Sequence, residues 1–550
     1  MLKNNLEKLN KQFRINPLYE SDGYKIAHPD MLAPNTTKEY FHWIPRSLKY
    51  FHKSIEKIIS SGQQLTWRYI HSAFAENFFG LDKKEALIFA EDMSKYIGMS
   101  YNSKWFNDLY DLGYLPVRIK ILPEGLRTKA NIPHMTGINT IDGYAWLCLF
   151  LETLVSKLSW QMPIAATLAH KFRENANEWT LKTDPENMFL TDYMCHDFHS
   201  RGGNPFTSIA VGLGHSLSNS GSDTLNVIPA SRYYYDADED EVIISSVNAS
   251  EHSVTCTGIF FYEKQLKEGK LDHEIKKYYD HPTPCDGNIN NPDYLAIAEL
   301  LNLRDWLIKF PNGILSVVSD TFDLWKLITF ILPRLKEEIL ARNGKLVIRP
   351  DSGDPVDIIC GTGLMSSNHS KEWRLDPNFD WSTVEKLPSE KGVVELLCDI
   401  FGGTTTSTGY KLLDSHIGCI YGDSINLDRQ VAIYKRLANK GFSSTNVVLG
   451  IGSYTYVYQT RDTAGFAAKG AWFETLNDQF DIYKDPVTDD GTKKSLRGKV
   501  KVYYDENNEI QVKCQVTDEE ENEGLLQVIY ENGKFYNQTT IPEIRKRLFN

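Results

Sequence analysis

The residues KLVIRPDSG (345–353) have the pattern of a buried parallel strand, because a short run of aliphatic side chains stops abruptly at an acidic, glycine-containing turn. The same pattern recurs in three other runs of this region, ILSVVSD (314–320), GCIYGDS (418–424) and NVVLGIGS (446–453). Asp320 and Asp351, at the ends of consecutive runs, are separated by close to the ~30 residues of a strand–helix–strand unit. We therefore predict a parallel sheet whose strands alternate with helices.

The segments between these runs carry helix signals. Asp323 to Arg342 has the length and apolar spacing of a helix that Pro333 must kink or divide. The segment INLDRQVAIYKRLANKG (425–441) predicts a helix that starts near Asn426 or Asp428 and ends before Gly441. Residues 362–405 are largely polar with weak periodicity, and we interpret them as an inserted surface excursion.

The two ends of the chain have a different pattern. The first part combines a helical segment, 143–158, with a short strand in PVRIKILPEG (116–125). Late in the chain, GKVKVYYD (498–505) and QVKCQV (511–516) alternate as antiparallel strands do. We predict an α/β fold in which an irregular, incomplete (β/α) barrel spans residues 186–469. A mixed α+β domain built from residues 1–185 and 470–550 would flank it.

Composition excludes several classes of protein. The 550-residue chain has 41% hydrophobic and 24% charged residues, which is typical of globular proteins. Its net charge of −12 argues against nucleic acid or anionic lipid as a partner, so an anionic ligand needs a local basic cluster. No window approaches the ~20 apolar residues of a membrane span, and MLKNNLEKLNKQFR (1–14) lacks the core of a secretory signal. The eight cysteines are scattered without a CxxC pair, so we expect reduced thiols in a cytoplasmic enzyme.

Polar residues collect where the predicted strands end. In parallel α/β folds ligands bind beyond the carboxyl ends of the strands, so these residues are predicted to share one site. Carboxylates there can bond ribose hydroxyls or hold a divalent metal, and glycine-rich turns can cradle phosphate, which together suit a phosphorylated sugar. Taken singly, an Asp at a strand end can equally be a helix cap. The candidates are Ser319, Asp320, Asp323, Arg349, Asp351, Ser352, Gly353, Gly422, Asp423, Gly450, Gly452 and Ser453.

A family resemblance runs from about residue 15 to the end of the chain. Its motifs are SDGYK (21–25), PNTTKEY (34–40), CHDFHSRGG (195–203), GSDT (221–224), SEHS (250–253), VVSDTFD (317–323), IRPDSGDPVD (348–357), GYKLL (409–413), YGDSIN (421–426), TRD (460–462) and YKDPV (483–487). In this order they resemble the nicotinamide phosphoribosyltransferases of the nicotinate/nicotinamide phosphoribosyltransferase family. The resemblance implies transfer of phosphoribosyl from 5-phosphoribosyl 1-diphosphate (PRPP) to nicotinamide in NAD salvage. It also implies Mg²⁺ acting with PRPP, ATP as an energy-coupling co-substrate, and a homodimer.

Matching positions imply how nicotinamide is bound. Phe198 matches the ring that stacks on the pyridine, and Tyr24 matches a tyrosine supplied by the second subunit, so the active sites would lie at the subunit interface. Asp223 matches the carboxylate that accepts a hydrogen bond from the carboxamide. An ionised carboxylate there repels nicotinic acid, which favours the amide as substrate.

Other matching positions imply contacts to the sugar and phosphates. Arg201 and Arg349 match residues that line the base and the ribose phosphate, while Asp351, Gly422 and Asp423 match residues around the ribose and the metal-bound diphosphate. Nearby carboxylates would stabilise positive charge developing at C1′. The matching cations for the diphosphate are Arg46, Arg461, Lys469 and Lys484, with Lys493 as a further candidate.

Two further expectations concern His252 and the phosphate-binding turn at residues 453–454. His252 matches the histidine that is phosphorylated when ATP hydrolysis is coupled to the transfer. The chain has Ser453 and Tyr454 where the family has glycines, and these side chains narrow the phosphate cradle.

Three alternatives remain open from the sequence. Nicotinate phosphoribosyltransferase shares the donor, and Asp223 is the residue that separates the two activities. A metal-dependent barrel aldolase or hydrolase would use Asp320, Asp351 and Asp423 as ligands, but it leaves Phe198 and Tyr24 unexplained. A non-enzymatic nucleotide-binding protein would keep the site without turnover.

Overall fold

The computed structural model describes residues 16–363, 386–484 and 496–550. Lys493 and the middle of the predicted 362–405 excursion therefore lie outside the described residues. The strands are β1 (Thr36–Ile44), β2 (Ile58–Ile59), β3 (Val117–Ile121), β4 (Arg127–Thr128), β5 (Met135–Asn139), β6 (Cys195–Asp197), β7 (Gly221–Ser222), β8 (Asn248–Ala249), β9 (Asn312–Val318), β10 (Asn343–Arg349), β11 (Gly403–Thr405), β12 (Lys411–Leu413), β13 (Ile417–Tyr421), β14 (Val447–Ile451), β15 (Ala467–Thr475), β16 (Gln479–Asp481), β17 (Val500–Tyr504), β18 (Ile510–Cys514), β19 (Gln527–Glu531) and β20 (Lys534–Phe535).

Helices cover much of the remaining described chain. The α-helices of eight or more residues are α1 (Gln63–Phe74), α2 (Ile88–Ile97), α3 (Lys104–Leu112), α4 (Ala145–Leu158), α5 (Gln161–Thr183), α6 (Pro205–Ser216), α7 (Val227–Tyr235), α8 (His252–Lys267), α9 (Asp272–Tyr279), α10 (Tyr294–Lys309), α11 (Val393–Phe401), α12 (Leu427–Asn439) and α13 (Ile541–Phe549). Shorter helical segments include Leu324–Lys326, Lys336–Leu340, Pro355–Cys360 and Ser453–Tyr456.

The predicted parallel sheet is present. Its strand order is β7-β6-β14-β13-β10-β9-β8, and every neighbouring pair is parallel. The sheet curls so that its two edges approach each other. Ser245 lies shortly before β8 at one edge and forms a parallel bridge with Gly221 of β7 at the other edge. Side chains that alternate along each strand therefore face a common interior.

A second sheet joins residues from both ends of the chain. Its order is β16-β15-β1-β5-β3-β19-β20, with antiparallel neighbours. Trp43 of β1 stacks on Phe466, with ring centroids 5.0 Å apart and planes within 4°. The predicted late hairpin is confirmed as β17 and β18. The described residues thus form a mixed α/β fold with two seven-stranded sheets, one parallel and one antiparallel, and three two-stranded antiparallel sheets.

The two helices predicted between the strands differ in regularity. The helix predicted over 323–342 is divided: a π-type segment (Leu327–Ile331) precedes Pro333, which cannot donate a backbone N–H, and a separate turn follows at Lys336–Leu340. The second is continuous as α12. The Asn426 side chain accepts the Arg429 N–H at 2.9 Å and caps its start.

Helix α5 joins the two halves of the fold. It contacts β2, α6 and α12, and its buried face includes Phe172, which is fully buried. Gln430 of α12 donates to the Phe172 carbonyl at 2.9 Å and accepts from the Asn175 side chain at 2.9 Å, so this buried amide is satisfied on both sides. No helix of the described residues has the length and apolarity needed to cross a membrane.

Candidate active site

Backbone and hydroxyl bonds lock the carboxyl ends of β9 and β10 together. Ser319 donates its N–H to the Arg349 carbonyl at 3.0 Å, and its hydroxyl accepts the Arg349 N–H at 3.1 Å. Asp320 Oδ2 accepts the Asp351 N–H at 2.9 Å and the Ser352 hydroxyl at 2.5 Å. The predicted site residues Ser319, Arg349 and Asp351 therefore lie together, but Ser319 is fully buried and joins strands.

Asp351 occupies the crowded acidic part of this edge. Its pKa is raised, chiefly by burial and further by Asp320 and Asp423, while the Arg349 guanidinium opposes the shift. A Cβ at Gly422 would lie 2.7 Å from Asp351 Oδ1. Glycine at this position therefore lets the end of β13 approach the carboxylate.

The Phe198 ring lies close to Gly450, which in turn lies close to Gly422. A Cβ at Gly450 would lie 2.6 Å from Phe198 Cδ2 and 3.0 Å from the Gly422 Cα. The Phe198 N–H donates to the Ile451 carbonyl at 2.9 Å, which ties the residue to the end of β14. The ring position thus depends on the absence of a side chain at Gly450.

The fully buried carboxylate of Asp197 fixes the turn that carries Asp223. It accepts hydrogen bonds from the hydroxyls of Ser222 at 2.9 Å and Thr224 at 2.8 Å, on either side of Asp223. It also accepts the backbone N–H of His199 at 3.0 Å and pairs with His199 Nδ1 at 2.6 Å. Burial alone raises the pKa of Asp197, but the charge of His199, its two hydrogen bonds to the carboxylate and the charge of His215 outweigh burial, so the net shift is downward.

Asp223 has two hydrogen-bond partners of its own. Its Oδ1 lies 3.0 Å from His196 Nε2 and accepts the hydroxyl of Ser246. Burial alone raises the pKa of Asp223, but these bonds and the charge of Arg349 outweigh it, so the net shift is downward. The carboxyl group is therefore ionised at neutral pH.

The curled sheet encloses a cavity of about 480 Å³ that Phe198, Asp223 and Arg349 help to line. Phe198, His196 and Asp223 lie at one part of its wall, and Arg349, Ser316 and Val347 at another. The Nε of Arg349 is buried without a hydrogen-bond partner among the described residues, while its Nη2 donates to the Ser250 carbonyl. A planar apolar ring with one polar edge suits this mainly hydrophobic space.

The other predicted residues lie around this core of the site. His252 begins α8, with 49% of its side chain exposed and Nδ1 3.1 Å from Thr321 Oγ1. Asp323 caps a helical segment by accepting the Lys326 N–H at 3.0 Å, and Asp423 is exposed after β13. Arg201 is also exposed, in the turn Ser200–Gly202. Gly452 caps the segment Ser453–Tyr456, and a Cβ at Gly202 would lie 2.3 Å from the Cβ of Ser453.

The predicted diphosphate cations form a separate cluster at the antiparallel sheet. Arg46 follows β1 and donates from Nε to the Gly465 carbonyl at 2.8 Å, while Lys469 lies in β15 opposite His42. Burial lowers the pKa of Lys469, and Lys484, Arg46 and Arg461 lower it further, although Glu152 opposes them. The other three predicted cations therefore lie within electrostatic range of Lys469.

Tyr24 belongs to this second part of the molecule. Lys25 next to it is buried and donates to Glu152 at 2.7 Å and to the Leu149 carbonyl at 2.8 Å, which anchors the segment to α4. Tyr24 itself is 67% exposed. Among the described residues its aromatic neighbour is His28, whereas that of Phe198 is His196, so one chain does not bring the two rings together.

Known proteins similar to this chain indicate its family. The family model "Nicotinate phosphoribosyltransferase (NAPRTase) family" matches residues 193–534. A protein of Acinetobacter baylyi named nicotinamide phosphoribosyltransferase is 36% identical over 98% of this chain and 97% of its own length. This chain belongs to the nicotinate phosphoribosyltransferase family.

More distant relatives extend the comparison. A Mycoplasma pneumoniae protein, also named nicotinamide phosphoribosyltransferase, is 29% identical over 90% of this chain and 96% of its own length. The crystal structure of human nicotinic acid phosphoribosyltransferase covers 96% of this chain and 93% of its own, with a TM-score of 0.51 and 13% identity. At that identity the likeness concerns the fold alone.

Family membership also bears on the alternative of a metal-dependent barrel enzyme. Among the described residues, no group of three or more His, Cys, Asp or Glu side chains is arranged to hold a metal ion. Oδ2 of Asp320 already accepts the Asp351 N–H and the Ser352 hydroxyl. The carboxylate oxygens of Asp351 and Asp423 are of the kind that divalent cations such as magnesium prefer as ligands.

Sequence analysis missed two residues of the site, His196 and Ser246. His196 could have been found, because it lies two residues before Phe198 in an extended segment and therefore on the same face. Ser246 precedes β8 in a segment without a motif, and only the curl of the sheet places its hydroxyl on Asp223.

Proposed function

We propose that this chain transfers the phosphoribosyl group of PRPP to nicotinamide, giving nicotinamide mononucleotide and diphosphate in NAD salvage. The family assignment and relatives named nicotinamide phosphoribosyltransferase support this reaction. The observation that carries it is the ionised Asp223, which borders a hydrophobic cavity beside the ring of Phe198.

Asp223 favours nicotinamide over nicotinic acid as the substrate. Two hydrogen bonds to its Oδ1 hold the carboxylate ionised, and a carboxamide N–H can donate to this group. Nicotinate would place a second negative charge beside it without a compensating donor. Nicotinate phosphoribosyltransferase activity is therefore the less favoured alternative.

The transfer itself needs little proton movement. The lone pair of the pyridine nitrogen attacks C1′ as the bond from C1′ to the diphosphate oxygen breaks, and the diphosphate leaves with the bonding electrons. The carboxylate of Asp351, close to the Arg349 guanidinium at the same strand ends, would stabilise positive charge at C1′. Arg349 and Arg201 would hold the substrate through charge-assisted hydrogen bonds.

Magnesium is proposed as the metal that accompanies PRPP. When present, the metal would supply positive charge that neutralises the leaving diphosphate. Asp351 and Asp423 supply carboxylate oxygens, which magnesium prefers as ligands.

We further propose a homodimer with its active sites at the subunit interface. The base pocket lies in the parallel sheet, whereas Tyr24 and the cation cluster around Lys469 lie at the antiparallel sheet. An exposed Tyr24 from a partner could close the pyridine against Phe198, and the partner's cations could meet the diphosphate.

ATP is proposed as an energy-coupling co-substrate that phosphorylates His252. The imidazole is half-exposed at the start of α8, beside the acidic ends of β9 and β10. A helix start with exposed backbone N–H groups favours the anionic phosphoryl group.

Two structural expectations complete the proposal. We propose that the curled parallel sheet is an irregular, incomplete (β/α) barrel bounded near residues 186 and 469, with segments 1–185 and 470–550 forming the flanking domain. We also propose a cytoplasmic location, since all eight cysteines are free thiols, as is usual in reducing compartments.

The proposed function is tested by incubating the protein with PRPP, Mg²⁺ and labelled nicotinamide or nicotinic acid and measuring the mononucleotide formed. We expect nicotinamide to be converted with the higher kcat/KM. The Asp223→Asn variant should narrow that preference, because a neutral amide no longer repels the acid. Absence of mononucleotide from both bases would refute the proposal.

A further inference from the structure

His196 contacts both groups that are proposed to recognise nicotinamide. Its ring centroid lies 4.7 Å from that of Phe198 with the planes tilted by 40°, and its Nε2 lies 3.0 Å from Asp223 Oδ1. The residue is 9% exposed, so its ring is held by its neighbours. One buried side chain thus connects the stacking ring to the carboxylate.

The pairing of β6 with β7 leaves space for the His196 imidazole. His196 lies opposite Gly221 in the parallel pair of β6 and β7, and a Cβ at Gly221 would be 2.8 Å from His196 Nδ1. Any side chain at Gly221 would push the ring away from Asp223. The absence of a side chain at Gly221 therefore allows Nε2 of His196 to reach the Asp223 carboxylate.

The bonds to Asp223 leave one of its oxygens for substrate. His196 and Ser246 both bond Oδ1, and the Asp223 N–H donates to the Asp197 carbonyl at 3.0 Å. With the backbone and Oδ1 fixed, Oδ2 is the oxygen available to a carboxamide N–H. The Ser246 hydroxyl can rotate and either donate or accept, whereas Nε2 in its protonated form can only donate.

We propose that His196 is the positioning residue that sets the preference for the amide over the acid, by orienting Asp223 Oδ2 toward the substrate and by packing against the ring of Phe198. This inference rests on the proposed function. It predicts that losing the donor at Nε2 weakens recognition of nicotinamide while the chemistry at C1′ is left in place. Discrimination against nicotinate then falls, because the carboxylate can rotate and accept a proton more readily.

The test compares His196→Leu, which removes the donor, with His196→Gln, whose amide N–H can reach a similar position. In His196→Leu we expect the KM for nicotinamide to rise about tenfold or more, with kcat and the KM for PRPP changed by less than about threefold. The ratio of kcat/KM for nicotinamide to that for nicotinate should fall about tenfold. His196→Gln should recover most of this ratio. Equal thermal unfolding midpoints would show that the variants fold.

Several results would overturn the inference. An unchanged ratio in folded His196→Leu would do so, as would an equal loss in both variants, because either outcome assigns His196 a merely structural role. Failure of the proposed function is separately visible as absence of mononucleotide from the wild-type protein. Calorimetric binding of nicotinamide then decides the inference. Tighter binding by wild type than by His196→Leu supports it, and equal affinity or no wild-type binding overturns it.

Discussion

Nε2 of His252 lies 3.8 Å from Oδ1 of Asp320. This Oδ1 is buried without a hydrogen-bond partner among the described residues, whereas Oδ2 is held by the Asp351 N–H and the Ser352 hydroxyl. The carboxylate is therefore fixed, with its free oxygen toward the imidazole. At 3.8 Å the two groups are too far apart for a hydrogen bond, but the contact places the imidazole beside the acidic ends of β9 and β10.

The His252→Ala variant tests the proposed phosphoryl transfer from ATP. We expect ATP hydrolysis to fall by at least about 100-fold, because the accepting nitrogen is removed. Mononucleotide formation without ATP should remain within about threefold, since His252 takes no part in the attack on C1′. Phosphate release and mononucleotide formation are measured on the same sample.

The exposed His273 on α9 provides the control, with 72% of its side chain accessible. His273→Ala should leave both rates unchanged. ATP turnover by His252→Ala at the wild-type rate would contradict the proposed role.

Much of the fold could be predicted from local patterns. The aliphatic runs ending at Asp320, Asp351 and Asp423 predicted parallel strands, because strands buried on both faces need such runs wherever they lie in the chain. Pro333 predicted that the helix over 323–342 is kinked or divided, and this is confirmed. The form of the division, a π-type segment followed by a separate turn, depends on packing around this proline.

The sequence predicted which residues form the site, but not all of the contacts among them. Asp223 and Phe198 were found through motifs, but the hydroxyl of Ser246 reaches Asp223 through the curl of the sheet, which has no local signal. Ser319 shows the opposite case. Its place at a strand end suggested substrate binding, yet both its N–H and its hydroxyl are used to join β9 to β10.

Gly450 is predicted to determine the position of Phe198. In Gly450→Ala the new Cβ would lie 2.6 Å from the Phe198 ring, so the ring must move from its place. We expect the KM for nicotinamide to rise about tenfold or more, because stacking is lost, and the unfolding free energy to fall by about 1–3 kcal/mol.

The measurements are steady-state kinetics with nicotinamide varied and urea unfolding of the same preparation. Ser415→Ala, at an exposed position before β13, is the control and should change neither quantity. Wild-type KM in Gly450→Ala would show that Phe198 does not hold the base.

Glu299 is predicted to make stability depend on pH. It is 6% exposed in α10, and burial, with the charges of Asp323 and Asp293, raises its pKa to about 8 while Lys326 opposes the shift. Because the folded pKa exceeds the unfolded one, the folded state binds more protons between these values. This group's contribution to the free energy of unfolding therefore falls as pH rises from about 4.5 to about 8, and then levels off.

Glu299→Gln should remove that part of the slope. Relative to wild type, we expect it to gain on the order of 1–4 kcal/mol in unfolding free energy between pH 5 and pH 8, measured by urea unfolding across this range. Glu337→Gln, at an exposed position in the segment Lys336–Leu340, should leave the slope unchanged. A Glu299→Gln slope equal to that of wild type would contradict the prediction.

Shared active sites are predicted to allow two inactive subunits to restore each other. Tyr24 and Asp223 lie in different parts of one chain, and in the proposed dimer each site takes Tyr24 from one subunit and Asp223 from the other. Tyr24→Ala should weaken stacking and Asp223→Asn should weaken amide binding, so each homodimer should lose most nicotinamide turnover at low substrate.

Co-expression of the two variants should recover activity. In a mixed dimer one site carries both substitutions and the other carries neither, so random pairing leaves about a quarter of all sites intact. We therefore expect about a quarter of the wild-type rate, measured on purified mixed protein at low nicotinamide. The comparison is the Tyr24→Ala/Asp223→Asn double variant co-expressed with wild type. If each site takes both residues from one chain, half of all sites in this mixture stay intact. If the two residues come from two chains, about a quarter stay intact. No recovery in the mixed single variants would indicate that each chain builds its site alone.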